Sequence, residues 1–292
     1  MELFSKIIAF FMALLGFISS VPVQTQNTLP ENAEKYDITV MSYNVYISGT
    51  GKKSPENRKE GVINNLRSVM PDVFGLQEAD IDWMNRIKDG MPEYSYVGRG
   101  RGKTETSDEF SPVFYKTEKY NLISSGTFWY SKTPEKCSNT WLSAFKRICT
   151  WAVLEDKETG FTFGVFNSHW DHLSVKSREN SAKLLCEKIA EYAPDMHVIL
   201  TGDFNCEPNT KAFESLVNAG FVSSMYVADE TVSGGTYHGY TKGDAADELP
   251  IDHIMFAKDS GYAHSFRIVT EKYNGIYPSD HFPIVGEITL YK

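Results

Sequence analysis

From Tyr36 onward, short apolar runs alternate with amphipathic segments, and polar or ionisable residues gather just past the C-terminal ends of the apolar runs. That alternation constrains the fold more than any other feature. Buried strands interleaved with amphipathic helices fold as sheets covered by helices, an α/β architecture. Strand chemistry marks Asp37–Val45, Asp72–Gln77, Tyr94–Gly98, Pro112–Lys116, Asn121–Tyr130, Ile148–Glu155, Phe161–His169, Val198–Asn205, Ile251–Ala257, Phe266–Glu271 and Phe282–Leu290. Asp156–Gly160 reads as a hairpin loop between two of these runs. Helical spacing marks Pro55–Met70, with Ser54 as N-cap and Pro55 at N1, and then Ile81–Lys88, Ser174–Tyr192 and Thr210–Asn218, the last closed by Gly220. No repeat, low-complexity tract or mid-chain linker interrupts this pattern, so residues 36–292 are expected to form one domain.

Composition narrows the class. At 41% hydrophobic and 23% charged residues over 292 positions, the chain is neither disordered nor fibrous nor a polytopic membrane protein. Its 29 Lys and Arg against 38 Asp and Glu give a net charge of −9. That balance argues against broad electrostatic capture of nucleic acid or of an anionic membrane. It leaves room for a phosphate-bearing substrate whose charge a bound cation offsets.

The start of the chain has a different character. Lys6 precedes the apolar run Ile7–Ile18, which Ser19 and Ser20 follow. This reads as a secretory signal peptide over residues 1–20, with an uncleaved anchor as the alternative; the run is short for a hydrocarbon core of ~30 Å. The expected location is therefore secreted or periplasmic. Residues 21–35 are polar and aperiodic and read as a leader arm. Four cysteines do not make a disulfide scaffold, although Cys137 and Cys149 flank a polar stretch that an oxidising compartment could close. Cys186 and Cys206 read as packed thiols.

The chemistry sits at the strand tips: Asn44, Glu78, the cluster His169, Asp171 and His172, then Asp203 with Asn205, and Asp280 with His281. Asp252 and His253 lie inside the run Ile251–Ala257. Ionisable residues in such places are unexpected for packing alone. If Val198–Asn205 is extended throughout, Asp203 and Asn205 leave the same face. Asn44, Glu78 and Asp280 add oxygen donors, and an oxygen set suits Mg²⁺, Mn²⁺ or Ca²⁺. A zinc site would have to use His169, Asp171 and His172, which lack the helical spacing of the familiar zinc motif. Taken singly, Asn44 could cap a turn, Glu78 could cap the helix near Ile81, His169 could be a core histidine and Asp280 could open a turn. Those readings do not explain the combination.

In order, Ser42–Asn44 (SYN), Gly75–Glu78 (GLQE), Asn167–His172 (NSHWDH), Thr201–Asn205 (TGDFN), Ile251–His253 (IDH) and Ser279–His281 (SDH) resemble the endonuclease/exonuclease/phosphatase, or DNase I-like, superfamily. The wider strings SPVFYK, TYHGY and YPSDHFPIVGEI resemble its compact, often exported, bacterial-type members. The resemblance implies a four-layer α/β sandwich, two packed mixed sheets flanked by helices, with the strand tips meeting at one end. It implies a Mg²⁺-dependent hydrolase of phosphoric esters. Glu78 is then the main metal ligand, with Asn44 and Asp280 beside it. His281 is the terminal histidine, supported by Asp252. His169 binds the scissile phosphate, while Asp203 and Asn205 orient or deprotonate water and hold the phosphoryl group. Asp203 and His281 remain rivals for the general base.

Within that superfamily, phosphodiester hydrolysis of a nucleic acid or nucleotide leads. A phosphomonoesterase or a sphingomyelinase-like phospholipid hydrolase is the alternative, and a non-catalytic binding or toxin module on the same scaffold is the alternative of another class. The basic run Arg99, Arg101 and Lys103 reads as a solvated turn or as a phosphate grip, and Lys146 with Arg147 reads similarly. Tyr237, His238 and Tyr240 could stack on a substrate or pack a loop. Phe128, Trp129 and Tyr130 read as sheet residues rather than a membrane hairpin. Membrane contact is not expected, and the chain is expected to be a monomer.

Overall fold

The computed structural model describes residues 21–292, so the signal reading of residues 1–20 lies outside the described residues. In chain order the strands are β1 Lys35–Asn44, β2 Val73–Gln77, β3 Tyr94–Val97, β4 Val113–Lys116, β5 Tyr120–Trp129, β6 Ile148–Asp156, β7 Thr162–His169, β8 His197–Asp203, β9 Phe221–Ser223, β10 Glu230–Thr231, β11 Asp252–Ala257, β12 Gly261–Ile268 and β13 Ile284–Tyr291. The helices are α1 Pro55–Val69, α2 Ile81–Gly90, α3 Val175–Tyr192, α4 Lys211–Asn218 and α5 Ser224–Val227. The strands form two mixed sheets. One runs β10-β12-β13-β1-β2-β4-β3 and the other β5-β6-β7-β8-β11-β9.

The two-residue period of each strand builds the layers. In β1, Ile38 and Val40 point into the core between the sheets, where they meet Val165, Ile199 and Ile254 of the other sheet. Met41 and Tyr43 point outward against Leu66 of α1 and Trp83 of α2. Across the second sheet, Phe166 and Leu200 face Leu185 and Ile189 of α3 and Phe213 of α4. The result is the expected four-layer sandwich of helix, sheet, sheet and helix. Phe128, Trp129 and Tyr130 are all buried, so the aromatic membrane hairpin is absent from that segment. No described helix is long and apolar enough to cross a membrane.

Beneath the site a polar staple joins the sheets. Asn167 of β7 accepts from Gln77 Nε2 at 2.7 Å and from Thr201 Oγ1 at 3.0 Å, and donates to the carbonyls of Leu76 and Pro112. Gly75 is required at this point, because a Cβ there would stand 2.3 Å from Asn167 Oδ1.

Several expectations need correction. Strand β8 ends at Asp203. Asp203 Oδ1 accepts from the Asn205 backbone N–H at 2.9 Å, a turn that takes Asn205 to a φ of 47°, so the two side chains do not share a strand face. Strand β12 begins at Gly261, earlier than its apolar composition suggests, because a bulge at Ala263–Ser265 lets polar residues continue the pairing with β13. All four cysteines are free thiols: Cys137 lies half-buried against the Arg101 carbonyl, whereas Cys149 is buried within β6. The leader arm is fastened to the sheets. Gln26 exchanges hydrogen bonds with the backbone of Ala263, and Gln24 accepts from the Ser223 N–H.

Candidate active site

Topology brings the tips together. Strands β1 and β2 run parallel, as do β7 and β8, so each pair ends at one edge of its sheet. Strands β13 and β11 run antiparallel to β1 and β8 and begin at those same edges. Asn44, Glu78, His169, Asp203, Asp252, Asp280 and His281 therefore converge at one end of the sandwich. Asn44 Nδ2 lies 3.1 Å from Glu78 Oε1, 3.0 Å from Asp203 Oδ2 and 3.4 Å from His281 Nε2, which ties both sheets into one constellation. Asp252 lies behind His281, bonded to its Nδ1.

The bowl above them measures about 380 Å³, within the range of small-molecule sites. Glu78, His169, Asp203, Asn205, Asp280 and His281 line it, together with Tyr46, Arg101, Glu109, Phe145, Arg147, His172, Tyr237 and Ile251. Glu78 sits at a φ of 57°, and its Oε2 accepts from the Ile47 N–H at 3.1 Å. It does not cap α2; Asp80 does, by accepting from the Trp83 N–H.

His281 and Asp252 form a buried couple, with Nδ1 to Oδ2 at 2.8 Å. Burial pulls the His281 imidazole toward neutrality. The charge and hydrogen bond of Asp252, with Asp203 and Asp280 behind them, overcome that and hold it well above the ordinary imidazole range. Asp203 moves the other way from an ordinary carboxylate. Burial and the facing Asp252, its cross-strand partner, push its carboxyl up.

His169 stands between Asp203 Oδ2, 3.5 Å from its Nε2, and Glu109 Oε2, 3.7 Å from its Nδ1. Burial and then the nearby Arg147 and Arg101 keep His169 well below the ordinary imidazole value. Burial lifts Glu109 to about 7 and Asp280 to about 6.

Two candidate cation positions arise. Asp203, Asp252 and His281 bring ligand atoms within 4.8 Å of one another, but His281 Nδ1 and Asp252 Oδ2 are engaged with each other. Glu78 and Asp280 form the other. The Asp280 Oδ1 is buried without a hydrogen-bond partner, and the Glu78 charge is one cause of its raised pKa. Two neighbouring acids, one of them with a buried oxygen that no donor satisfies, fit a hard divalent ion. Asn44, as oriented, turns its nitrogen to Glu78 while its oxygen accepts from the Tyr46 N–H.

Other expected residues have structural work. Asp171 is buried and accepts from Ser143 Oγ, Ala144 N, Leu173 N and Ser174 N, which fastens the loop before β6 to the start of α3. His253 is buried against Phe204 and Phe213 and bonds the Cys206 carbonyl. With Asp171 so engaged and the Arg147 guanidinium against His172 Nδ1, the zinc reading of His169, Asp171 and His172 loses its carboxylate and one of its imidazole nitrogens. His238 packs on Phe282 and Tyr277.

Three groups that matter carried little signal in the sequence. Arg101, read as a solvated turn or phosphate grip, is 5% exposed and pairs with Asp108 and Glu109 in the wall of the bowl. Glu109 follows the polar stretch before β4 and carried no motif. Arg58 of α1 is buried and pins the carbonyls of Val45, Tyr46 and Pro278, which fastens the loops bearing Asn44 and Asp280.

The model of the endonuclease/exonuclease/phosphatase family matches residues 41–281, a span that contains this whole constellation. The chain belongs to that family. Its members hydrolyse phosphoester bonds and typically depend on a divalent metal ion. Two solved structures from Bacteroides thetaiotaomicron are similar throughout. An endonuclease/exonuclease/phosphatase family protein is 30% identical with a TM-score of 0.84, covering 88% of this chain and 99% of that one. A mannosyl-6-phosphatase is 31% identical with a TM-score of 0.82, covering 86% and 99%. A probable RNA exonuclease from Schizosaccharomyces pombe is 22% identical over 222 residues, which are 68% of this chain and 43% of that relative. The chain thus spans less than half the length of that relative.

Proposed function

We propose that the chain is a divalent-metal-dependent phosphoesterase whose substrate is a small phosphoester of the phosphorylated-sugar class. The observation that carries this reading is the bowl itself: buried acids and imidazoles at its floor, two arginines in its wall and two half-exposed aromatic rings at its rim. Phe145 stacks on His172 on one side, with ring centroids 5.8 Å apart. Tyr237 leans over His281 on the other, at 4.9 Å. Rings placed this way suit the apolar face of a sugar, while the net charge of −9 works against a polymeric anion. The similarity to a mannosyl-6-phosphatase over nearly the whole fold supports the same substrate class.

Glu78 and Asp280 would hold a Mg²⁺-type cation, with Asn44 beside them. When bound, that ion offsets charge on the phosphoryl oxygens and stabilises the leaving alkoxide. His281, kept cationic by Asp252, presents Nε2 to the phosphoryl group. Asp203, raised toward neutrality and 3.8 Å from that nitrogen, takes the proton of the attacking water. His169 stays neutral and donates to the phosphate, with Glu109 and Asp203 on either side of its ring. Asn205 is anchored by its amide nitrogen to the Trp170 carbonyl, which leaves its oxygen for the water. From the composition of the first twenty residues, we infer that the enzyme works outside the cytoplasm.

A substrate panel tests the reading. Hexose 6-phosphates and p-nitrophenyl phosphate should be hydrolysed in Mg²⁺ and protected by chelator, faster than bis-p-nitrophenyl phosphate, RNA or sphingomyelin. Glu78→Ala should lower turnover by at least about 10³-fold while the melting temperature stays within a few degrees. Preference for RNA would favour the exonuclease-like alternative, and full turnover by Glu78→Ala would remove the metal assignment.

A further inference from the structure

Arg58 and Arg147 are both almost wholly buried, and the fold treats them differently. Arg58, 1% exposed, donates to five backbone carbonyls, those of Val45, Tyr46, Ser48, Lys53 and Pro278. Arg147, 4% exposed, makes one hydrogen bond, from Nη2 to His172 Nδ1 at 3.1 Å. Its Nε and Nη1 have no acceptor among the described residues. The Asp171 carboxylate stands 3.9 Å from Nε and already accepts from Ser143 and Ala144. Leaving donors of a buried cation unpaired costs more than leaving a neutral group so. A chain that satisfies Arg58 completely shows what a purely structural guanidinium looks like here. Arg147 instead lines the bowl, on the His169 side.

We propose that Arg147 binds the third non-bridging oxygen of a phosphomonoester and so makes the site select monoesters over diesters. This rests on the phosphoesterase reading above and deepens it. A terminal phosphoryl group carries three non-bridging oxygens and a charge near −2, whereas a diester carries two and a charge of −1. His281 and the Glu78–Asp280 acids, which would hold the cation, lie on the strand-tip floor of the bowl. Arg147 comes from the wall, held in place because it immediately precedes β6 and its carbonyl accepts from the Tyr130 N–H at 2.8 Å. Charge-assisted hydrogen bonds from such a fixed donor gain the most where charge is highest. Arg101 does not compete for the role, because Asp108 and Glu109 occupy its Nε and Nη2.

The test uses the full chain with Arg147→Gln and Arg147→Lys, p-nitrophenyl phosphate against bis-p-nitrophenyl phosphate, and binding of inorganic phosphate in Mg²⁺ read by the shift in melting temperature. Arg147→Gln should lower monoester kcat/KM by about 100-fold and the monoester-to-diester ratio by tenfold or more. Arg147→Lys, which keeps charge without the guanidinium donors, should fall between wild type and Gln. Phosphate should stabilise the wild type and fail to stabilise Arg147→Gln. A parallel fall on both substrates, or phosphate protection of Arg147→Gln equal to that of wild type, overturns the proposal. So does an effect confined to the diester, which would place Arg147 on its second ester group. If Arg147→Gln does not fold, the Lys variant decides by the same ratio and shift. A wild type without metal-dependent turnover would instead sink the earlier reading, and the phosphate shift would still judge Arg147.

Discussion

The 2.8 Å bond between His281 Nδ1 and Asp252 Oδ2 fixes the imidazole tautomer, its orientation and its charge at once. Replacing Asp252 by Asn keeps the size and removes the charge that holds His281 cationic. We expect Asp252→Asn to lower kcat by about 10²-fold or more with a small change in KM. The sign of its pH effect follows. A cationic His281 is present below its pKa, and losing Asp252 lowers that pKa, so the alkaline limb of the kcat profile should move to lower pH. A variant profile that superimposes on the wild type would mean His281 does not act as a cation. At this scale the sequence was informative where a short ordered tract ended an apolar strand, as for Glu78, Asp203 and His281. It was silent on Glu109 and Arg58 and gave Arg147 no greater weight than its neighbour Lys146, because each acts through partners distant in the chain. Arg58 reaches Pro278, and Glu109 reaches His169, contacts that no local spacing encodes.

At the scale of elements, apolar periodicity located most strands and the four longer helices, since each buries a continuous face. It missed β9, β10 and α5, which are too short to show a period, and it ran β8 two residues too far because Asp203 ends the strand by accepting from the backbone of Asn205. Strand β11 offers a test of how burial reads out in stability. His253 lies in its fully buried second position, and burial lowers its pKa from 6.5 to about 4. Between those values the unfolded chain binds a proton that the folded chain refuses, so His253 makes stability fall as the pH drops from about 6.5 to about 4. Buried acids such as Glu109 and Asp280, with raised pKa values, act in the opposite direction over much of that window. The His253 contribution is therefore isolated by difference. His253→Gln, whose amide can still reach the Cys206 carbonyl, should lose its disadvantage to the wild type by up to about 3 kcal/mol between pH 7 and pH 4. Urea titrations of both proteins at the two pH values measure this, and a constant difference would show that His253 does not titrate across the window.

At the scale of the whole molecule, the net charge of −9 and the site's cations pull in different directions. Arg101 and Arg147 lie in the bowl wall, each at most 5% exposed, so their field is concentrated on a ligand that enters the bowl. A duplex approaching from outside meets a molecule of net negative charge. Tight capture of nucleic acid draws on many phosphate contacts and released counterions, which a surface of this balance does not favour. The Debye length at 0.15 M salt is about 8 Å, so neither the exterior repulsion nor the buried attraction extends far into solution. Plasmid DNA added as a competitor should therefore leave the rate on p-nitrophenyl phosphate within about twofold at that ionic strength, whereas inorganic phosphate should inhibit it. Competition by DNA that weakens steeply as salt is raised would reveal a polyanion-binding surface and return the substrate to the nucleic-acid class. The two outcomes separate recognition by an enclosed bowl from recognition along an open face, which is the distinction that composition alone left unresolved.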